Sequence, residues 1–138
     1  MREYLDTQMS KHKFKTFDKN SRSSFEYWYY HWKAFNLVAW HLRVWKFKYL
    51  FHDIEKPWLR LFLPYKTVKS IHRRYNSHHK EYREGLDKVD VEAMVIDNEC
   101  SRFTKDSAKL NAREFIEKNP VNKEFSKRYY FILGKLGL

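Results

Sequence analysis

Histidine and aspartate stand side by side at His52-Asp53, at the end of an apolar segment that begins with Tyr49. A neutral imidazole and a carboxylate are both ligands for first-row transition metals. Neighbouring side chains on a helix point about 100° apart, so the pair can reach one ion only where the backbone turns. Pro57 is expected to end the helix here. This end of the segment is therefore a candidate metal site.

Further potential ligands occur elsewhere in the chain. Six of the seven histidines lie between residues 31 and 79. His31 falls midway along the first long predicted helix, and Asp97 follows Met94-Val95-Ile96 in an apolar helix. A carboxylate with such neighbours must be paired, bind a metal or turn outward. Asp90 and Asp97 are seven residues apart, which leaves open a solvated acidic stripe along one helix face.

Helices are the elements that must position these side chains. The chain has 3 Gly and 3 Pro, too few for the turns of a many-stranded sheet. Ser23-Ser24-Phe25-Glu26 matches a capping box with Ser23 as the N-cap. From there to about Trp45 apolar residues recur at helical spacing, which predicts a long first helix.

The rest of the chain also divides into predicted helices. A short helix carries His52-Asp53, and a segment from Pro57 to Leu63 precedes another helix at about 65–75. Caps and apolar spacing predict three later helices. The first is opened by Asp87 or Asp90 and runs through Cys100, and the second is capped by Asp106 or Ser107 and ends at Asn119-Pro120. The third has an apolar stripe made of Phe125, Tyr129, Ile132 and Leu136.

Length and charge limit the class of protein. The 138 residues fit one domain, with residues 1–22 as a partly ordered basic arm and 23–138 as the helical domain. The net charge of +11 attracts polyanions such as nucleotides or nucleic acid. A lone Cys100 fits a reducing compartment, and charges interrupt every apolar stretch before roughly 18 residues. We expect a cytoplasmic protein, of a bacterium or of the host if phage-encoded, with no membrane partner.

The order of these residues resembles the HD superfamily of phosphohydrolases, in which a helical His precedes a His-Asp pair, further His residues and a distal Asp. It is closest to an uncharacterised group of small HD-like proteins of phages and bacteria. The resemblance covers about residues 27–120 and is carried by His31, by the segments His52-Asp53-Ile54-Glu55-Lys56 and Asn76-Ser77-His78-His79-Lys80-Glu81-Tyr82, and by Glu92-Ala93-Met94-Val95-Ile96-Asp97.

The resemblance implies a fold, an activity and a ligand set. The fold would be an all-α, single-domain bundle of the HD type, and the activity hydrolysis of a small phosphorylated substrate such as a nucleotide. One or two divalent ions (Fe, Mn, Ni, Co or Zn) would be bound, with Asp53 and Lys56 as catalytic residues. A first ion would be held by His31, His52, Asp53 and Asp97, and a second by His72, His78 and His79, with Asp53 as a bridge.

Two other interpretations remain open at this stage. A non-catalytic nucleic-acid-binding protein would contact phosphates through basic stretches such as Lys11–Lys19 and Lys66–Arg74, with dispersed, metal-free histidines. A protein lying on a membrane surface would use its last helix, although the aromatic content of that helix fits core packing better. The sequence leaves the oligomeric state open.

Overall fold

The computed structural model describes residues 1–75, 90–107, 109–120 and 123–138. In these ranges the chain forms seven α-helices, short 3₁₀ turns and no strand, so the predicted all-α, single-domain bundle is confirmed. The helices are α1 (Arg2–Ser10), α2 (Phe25–His41), α3 (Glu55–Arg60), α4 (Tyr65–Tyr75), α5 (Val91–Cys100), α6 (Ala112–Lys118) and α7 (Lys123–Leu136).

Helix α2 forms one side of the bundle and begins one residue later than predicted. Ser24, not Ser23, is the N-cap, and its hydroxyl accepts a hydrogen bond from the Tyr27 backbone N–H at 3.1 Å. The helix ends at His41, short of Trp45, and Arg43 then takes a left-handed conformation with φ 62°. This backbone turn ends the helix although no glycine or proline marks it.

Helix α3 contradicts the prediction that Pro57 ends a helix. The chain makes a 3₁₀ turn over Phe47–Phe51, and α3 then begins at Glu55 with Pro57 as its third residue. The first backbone N–H groups of an α-helix have no intrahelical acceptor, so proline is accommodated in the first turn. Pro57 therefore starts a helix, and His52-Asp53 lie in the link before it. Helix α4 has the predicted bounds.

Helix α5 is the central helix and packs against α2, α6 and α7. Asp90 caps it, as one of the two predicted alternatives, by accepting the Ala93 N–H at 3.0 Å. Most of its side chains are buried, so it carries no separate polar face. The predicted cap of the following helix is wrong: Asn111 caps α6 in a reciprocal capping box with Glu114.

The N-terminal residues differ from the partly ordered arm that their composition indicated. Arg2–Ser10 forms α1, and its Leu5 and Met9, one turn apart, are buried in the main core. The Arg2 guanidinium donates to Glu99 at 3.0 Å and to the Leu138 carbonyl at 3.2 Å. Two apolar side chains among polar neighbours are a weak signal in sequence, and the contacts with distant residues stabilise the helix.

The last helix closes the core. Phe125, Tyr129, Leu133 and Leu136 of α7 are buried, whereas Ile132, assigned to this stripe from the sequence, is only half-buried. Among the described residues no helix has both the length and the apolar character needed to cross a bilayer.

Candidate metal centre

Three separate parts of the fold bring four potential ligands together. His31 comes from α2, Asp97 from α5, and His52-Asp53 from the link before α3. His31 Nε2 lies 2.8 Å and His52 Nε2 3.1 Å from Asp97 Oδ1, and the two Nε2 atoms are 3.3 Å apart. Asp53 Oδ2 lies 3.6 Å from His31 Nε2 and 3.4 Å from His52 Nε2. These residues are called the four-residue cluster below.

The backbone at Asp53 explains how two adjacent residues point to one place. His52 has φ −58° and ψ 124°, and Asp53 has φ 54°, in the left-handed region. An L-residue there costs on the order of 1–2 kcal/mol, although aspartate tolerates the region better than most. The expected turn therefore exists, but a left-handed residue makes it and Pro57 does not. Such strain persists only where the surrounding structure imposes it.

The spacing of the ligand atoms suits one transition-metal ion. Bonds from such an ion to imidazole nitrogen or carboxylate oxygen are about 2.0–2.2 Å long, which places neighbouring ligand atoms about 2.8–3.6 Å apart for right-angle or tetrahedral geometry. The five separations between these atoms, from 2.8 to 3.6 Å, match this range. One atom from each residue lies within 4.8 Å of the others, so the group could hold a metal ion.

The surroundings hold the imidazole rings in place. His52 stacks on Phe35 with centroids 3.7 Å apart and an angle of 9° between the planes. His31 stacks beside Tyr27 at 5.8 Å. Burial acts to lower the pKa of His52, but the carboxylates of Asp53 and Asp97 more than offset this, and the net shift is upward. The cluster is thus an environment that stabilises positive charge.

A second group of potential ligands shares Asp53. Its Oδ1 atom lies 3.1 Å from His72 Nε2 on α4, and the other nitrogen of that ring, Nδ1, contacts Glu55 Oε1. Burial acts to raise the pKa of Glu55, but the hydrogen bond and the electrostatic attraction of His72 together outweigh it, and the pKa is lowered. Asp53, Glu55 and His72 could also hold an ion. The two oxygens of Asp53 therefore face two different groups.

Lys56 lies beside the shared carboxylate. Its ammonium donates to Asp53 Oδ2 at 3.0 Å. Burial acts to lower the pKa of Lys56, but Asp53 and Asp97 outweigh it and raise the pKa, so this side chain stays charged. His31, Asp53 and Lys56 line a cleft of about 150 Å³ whose other walls include the aromatic rings of Tyr27 and Trp28. A small anion could enter beside the potential ligands.

The structure brings together most of the residues that the sequence singled out. His31, His52, Asp53, Asp97, His72 and Lys56 all lie at this place. His78 and His79 lie outside the described residues. His12 and His41 lie near each other with ring centroids 6.2 Å apart and do not join either group.

Glu55 was missed by the sequence analysis. It lies two residues after Asp53 and three after His52, at the first position of α3. Its spacing offered no signal, because side chains two residues apart on a helix do not face each other. An acidic residue at a helix start is also common for reasons of the helix dipole alone, so the pattern was not specific.

No protein-family model, curated protein or solved structure matches this chain.

Proposed function

We propose that this protein is a metal-dependent phosphohydrolase of the HD type. The observation that carries the proposal is the convergence of His31, His52, Asp53 and Asp97, from three parts of the chain, within 4.8 Å. Two neutral imidazoles and two carboxylates bring a charge of about −2, which suits a divalent cation. Fe, Mn, Ni, Co and Zn all accept this ligand set.

Each cluster residue would act through its position. A divalent ion held here would supply an activated water nucleophile at neutral pH and would neutralise charge on the phosphoryl group. His31 and His52 provide nitrogen ligands held by stacking on Tyr27 and Phe35. Asp97 faces both imidazole nitrogens through one oxygen. Asp53 is buried and brings its second oxygen to His72, so it is placed to bridge two sites.

Lys56 is the residue to which we assign binding of the substrate's phosphoryl group. Its ammonium lies next to Asp53 and on the wall of the cleft, where it can contact a phosphoryl oxygen. Charge-assisted hydrogen bonds to phosphate are stronger than neutral ones, and a cation placed where negative charge develops stabilises the transition state. Lys56 would therefore bind the phosphoryl group and stabilise the charge on it during hydrolysis.

A second ion is part of the proposal. His72 and Asp53 Oδ1 face each other at 3.1 Å, and Glu55 lies against the far nitrogen of the same ring. A ligating histidine usually donates its other ring N–H to a carboxylate, which orients the ring. Glu55 matches that supporting role for His72. The site would then hold one ion tightly and a second through His72, with His78 and His79 as predicted additional ligands.

We propose a small phosphorylated substrate of the nucleotide class. The net charge of +11 favours anionic substrates. The cleft beside Lys56 has the aromatic side chains of Phe25, Tyr27 and Trp28 on its walls, which can pack against a planar ring.

Elemental analysis tests the metal site directly. Protein purified without chelator and the Asp53→Ala variant are compared by mass spectrometry of bound metals, with Asp106→Ala, a change of an exposed carboxylate, as the matched control. Wild type and the control should carry metal and Asp53→Ala should not. Manganese is then added and a panel of nucleotides is assayed for phosphate release. Equal metal in Asp53→Ala and wild type would contradict the proposal.

Nucleic-acid binding is the second candidate function, favoured by the charge of +11 and by exposed lysines such as Lys11, Lys13 and Lys19. Binding that neutralises phosphates falls steeply with salt. The two candidates separate on one variant, because His52→Ala should abolish hydrolysis but leave purely electrostatic binding to DNA or RNA unchanged.

A further inference from the structure

Arg22 is a partly buried cation on the wall of the cleft. It lies in the 3₁₀ turn Ser21–Ser23 that leads into α2, and its side chain lines the cleft together with His31, Asp53 and Lys56. No described residue forms a hydrogen bond with its Nε atom, which is buried, or an ion pair with its guanidinium. A buried nitrogen of a guanidinium usually has a carboxylate or carbonyl partner.

Trp28, one helical turn beyond Ser24, also lines the cleft and carries a donor without an acceptor. Its indole Nε1 is buried and has no hydrogen-bond partner among the described residues. Two other tryptophans show the usual situation: Trp32 donates to the Leu50 carbonyl at 2.9 Å and Trp45 to Asn36 at 2.9 Å. Buried hydrogen-bond donors are paired in the great majority of cases, so a buried donor without an acceptor in a residue that lines a cleft points to a ligand.

A second cation reinforces the positive potential near Arg22. Lys105 is half-buried, and no ion pair joins it to a described residue. Burial lowers the pKa of Lys105, and repulsion from Arg22 lowers it further, against the opposing effect of Asp97. Two neighbouring cations that repel each other in a partly buried place are stabilised by an anion between or beside them.

We propose that Arg22 and Trp28 form a subsite for a second anionic group of the substrate, a phosphoryl or carboxylate group, next to the phosphoryl group at the metal centre. The inference rests on the proposed function and adds a substrate class to it: phosphate esters or anhydrides that carry two acidic groups. Arg22 supplies a forked donor that matches anionic oxygens, and Trp28 supplies one further N–H. Lys105 adds charge.

Two small probes test the subsite. Methylphosphonate carries one acidic group and methylenediphosphonate carries two, with no hydrolysable bond between them. Their affinities are measured by calorimetry on the full chain loaded with Mn²⁺, for wild type, Arg22→Gln and Trp28→Phe. Arg128→Gln and Trp40→Phe are matched controls, because both side chains are exposed and lie elsewhere.

Wild type should bind the diphosphonate more tightly than the monophosphonate. Arg22→Gln should weaken diphosphonate binding about tenfold or more and leave monophosphonate binding within about twofold, since a hydrogen bond to a charged group is lost for only one probe. Trp28→Phe should show the same selectivity with a smaller loss. Arg22→Lys, which keeps the charge and loses the fork, should fall between wild type and Arg22→Gln.

Three results would overturn the subsite. The first is equal wild-type affinity for both probes. The second is a loss in Arg22→Gln that Arg128→Gln reproduces, and the third is an equal loss for both probes, since either would reflect net charge alone. Failure of the proposed function has a different signature: wild type would then retain no Mn²⁺, and Asp53→Ala would bind methylphosphonate as well as wild type does.

Discussion

Replacing Asp53 with asparagine tests the metal centre most sharply. The substitution keeps the size of the side chain, and asparagine tolerates the left-handed φ of 54° at this position. One carboxylate oxygen, however, becomes an NH₂ group, which cannot ligate a metal. In the structure Oδ2 faces His31 and His52 while Oδ1 faces His72, so the amide can leave an oxygen towards only one of the two groups.

The magnitude follows from ligand linkage. Mn²⁺ at 100 times its Kd stabilises the wild type by about 2.7 kcal/mol. For a chain of 138 residues this corresponds to a rise in Tm of about 8–14 °C, from roughly 3–5 °C per kcal/mol. Loss of a residue that only hydrogen-bonds to a metal ligand weakens metal binding about 10–100-fold, and loss of a ligand itself should weaken it at least as much. At the same Mn²⁺ concentration a 100-fold loss leaves about 0.4 kcal/mol, or about 1–2 °C.

The assay is thermal unfolding with and without Mn²⁺, followed by circular dichroism at 222 nm. Asp106→Asn serves as the control for an exposed carboxylate and should keep the full Mn²⁺-dependent shift. The metal-free Tm of Asp53→Asn is recorded as well, because it separates loss of binding from loss of fold. A full wild-type shift in the Asp53→Asn protein would refute the assignment of Asp53 as a ligand.

Further variants separate the roles of neighbouring groups. Lys56→Gln should keep its bound metal but lose about 10²–10³-fold in kcat, because the positive charge beside the reacting phosphoryl group is lost. A matching loss of metal would instead make Lys56 part of the metal site. Glu55→Gln should weaken a second Mn²⁺ about 10–100-fold and leave the first unchanged, measured as the calorimetric stoichiometry, because His72 loses its charged acceptor. Burial raises the pKa of Cys100 well above its usual value, so its thiol stays protonated at pH 8. Cys100 should therefore react with a disulfide reagent only after denaturation. Rapid reaction of the native protein would contradict its buried position.

Much of the local structure was predictable from the chain alone. Asp87 or Asp90 before an apolar run predicted the start of α5, which Asp90 caps, and the scarcity of glycine and proline predicted helices throughout. These are local effects of capping and of periodic burial, which depend on residues a few positions apart. The same local rules misplaced the role of Pro57, because one proline can end one helix or sit in the first turn of the next.

Tertiary contacts decided what local patterns left open. Helix α1 is stabilised because its Leu5 and Met9 are buried in the same core as side chains of α2 and α5. Glu55 became recognisable only when α4 placed His72 against it.

The sequence by itself determined the ligand types and the helices that carry most of them. It also determined the order of His and Asp residues from which we propose an HD-type phosphohydrolase. Only the packing of α2 against α5 decided that His31 and Asp97, 66 residues apart, meet at 2.8 Å. Only the left-handed backbone at Asp53 decided that this residue joins His52 at the same place. The physical reason is that hydrogen bonding and periodic burial act between near neighbours in the chain, whereas convergence of distant side chains depends on how whole helices pack.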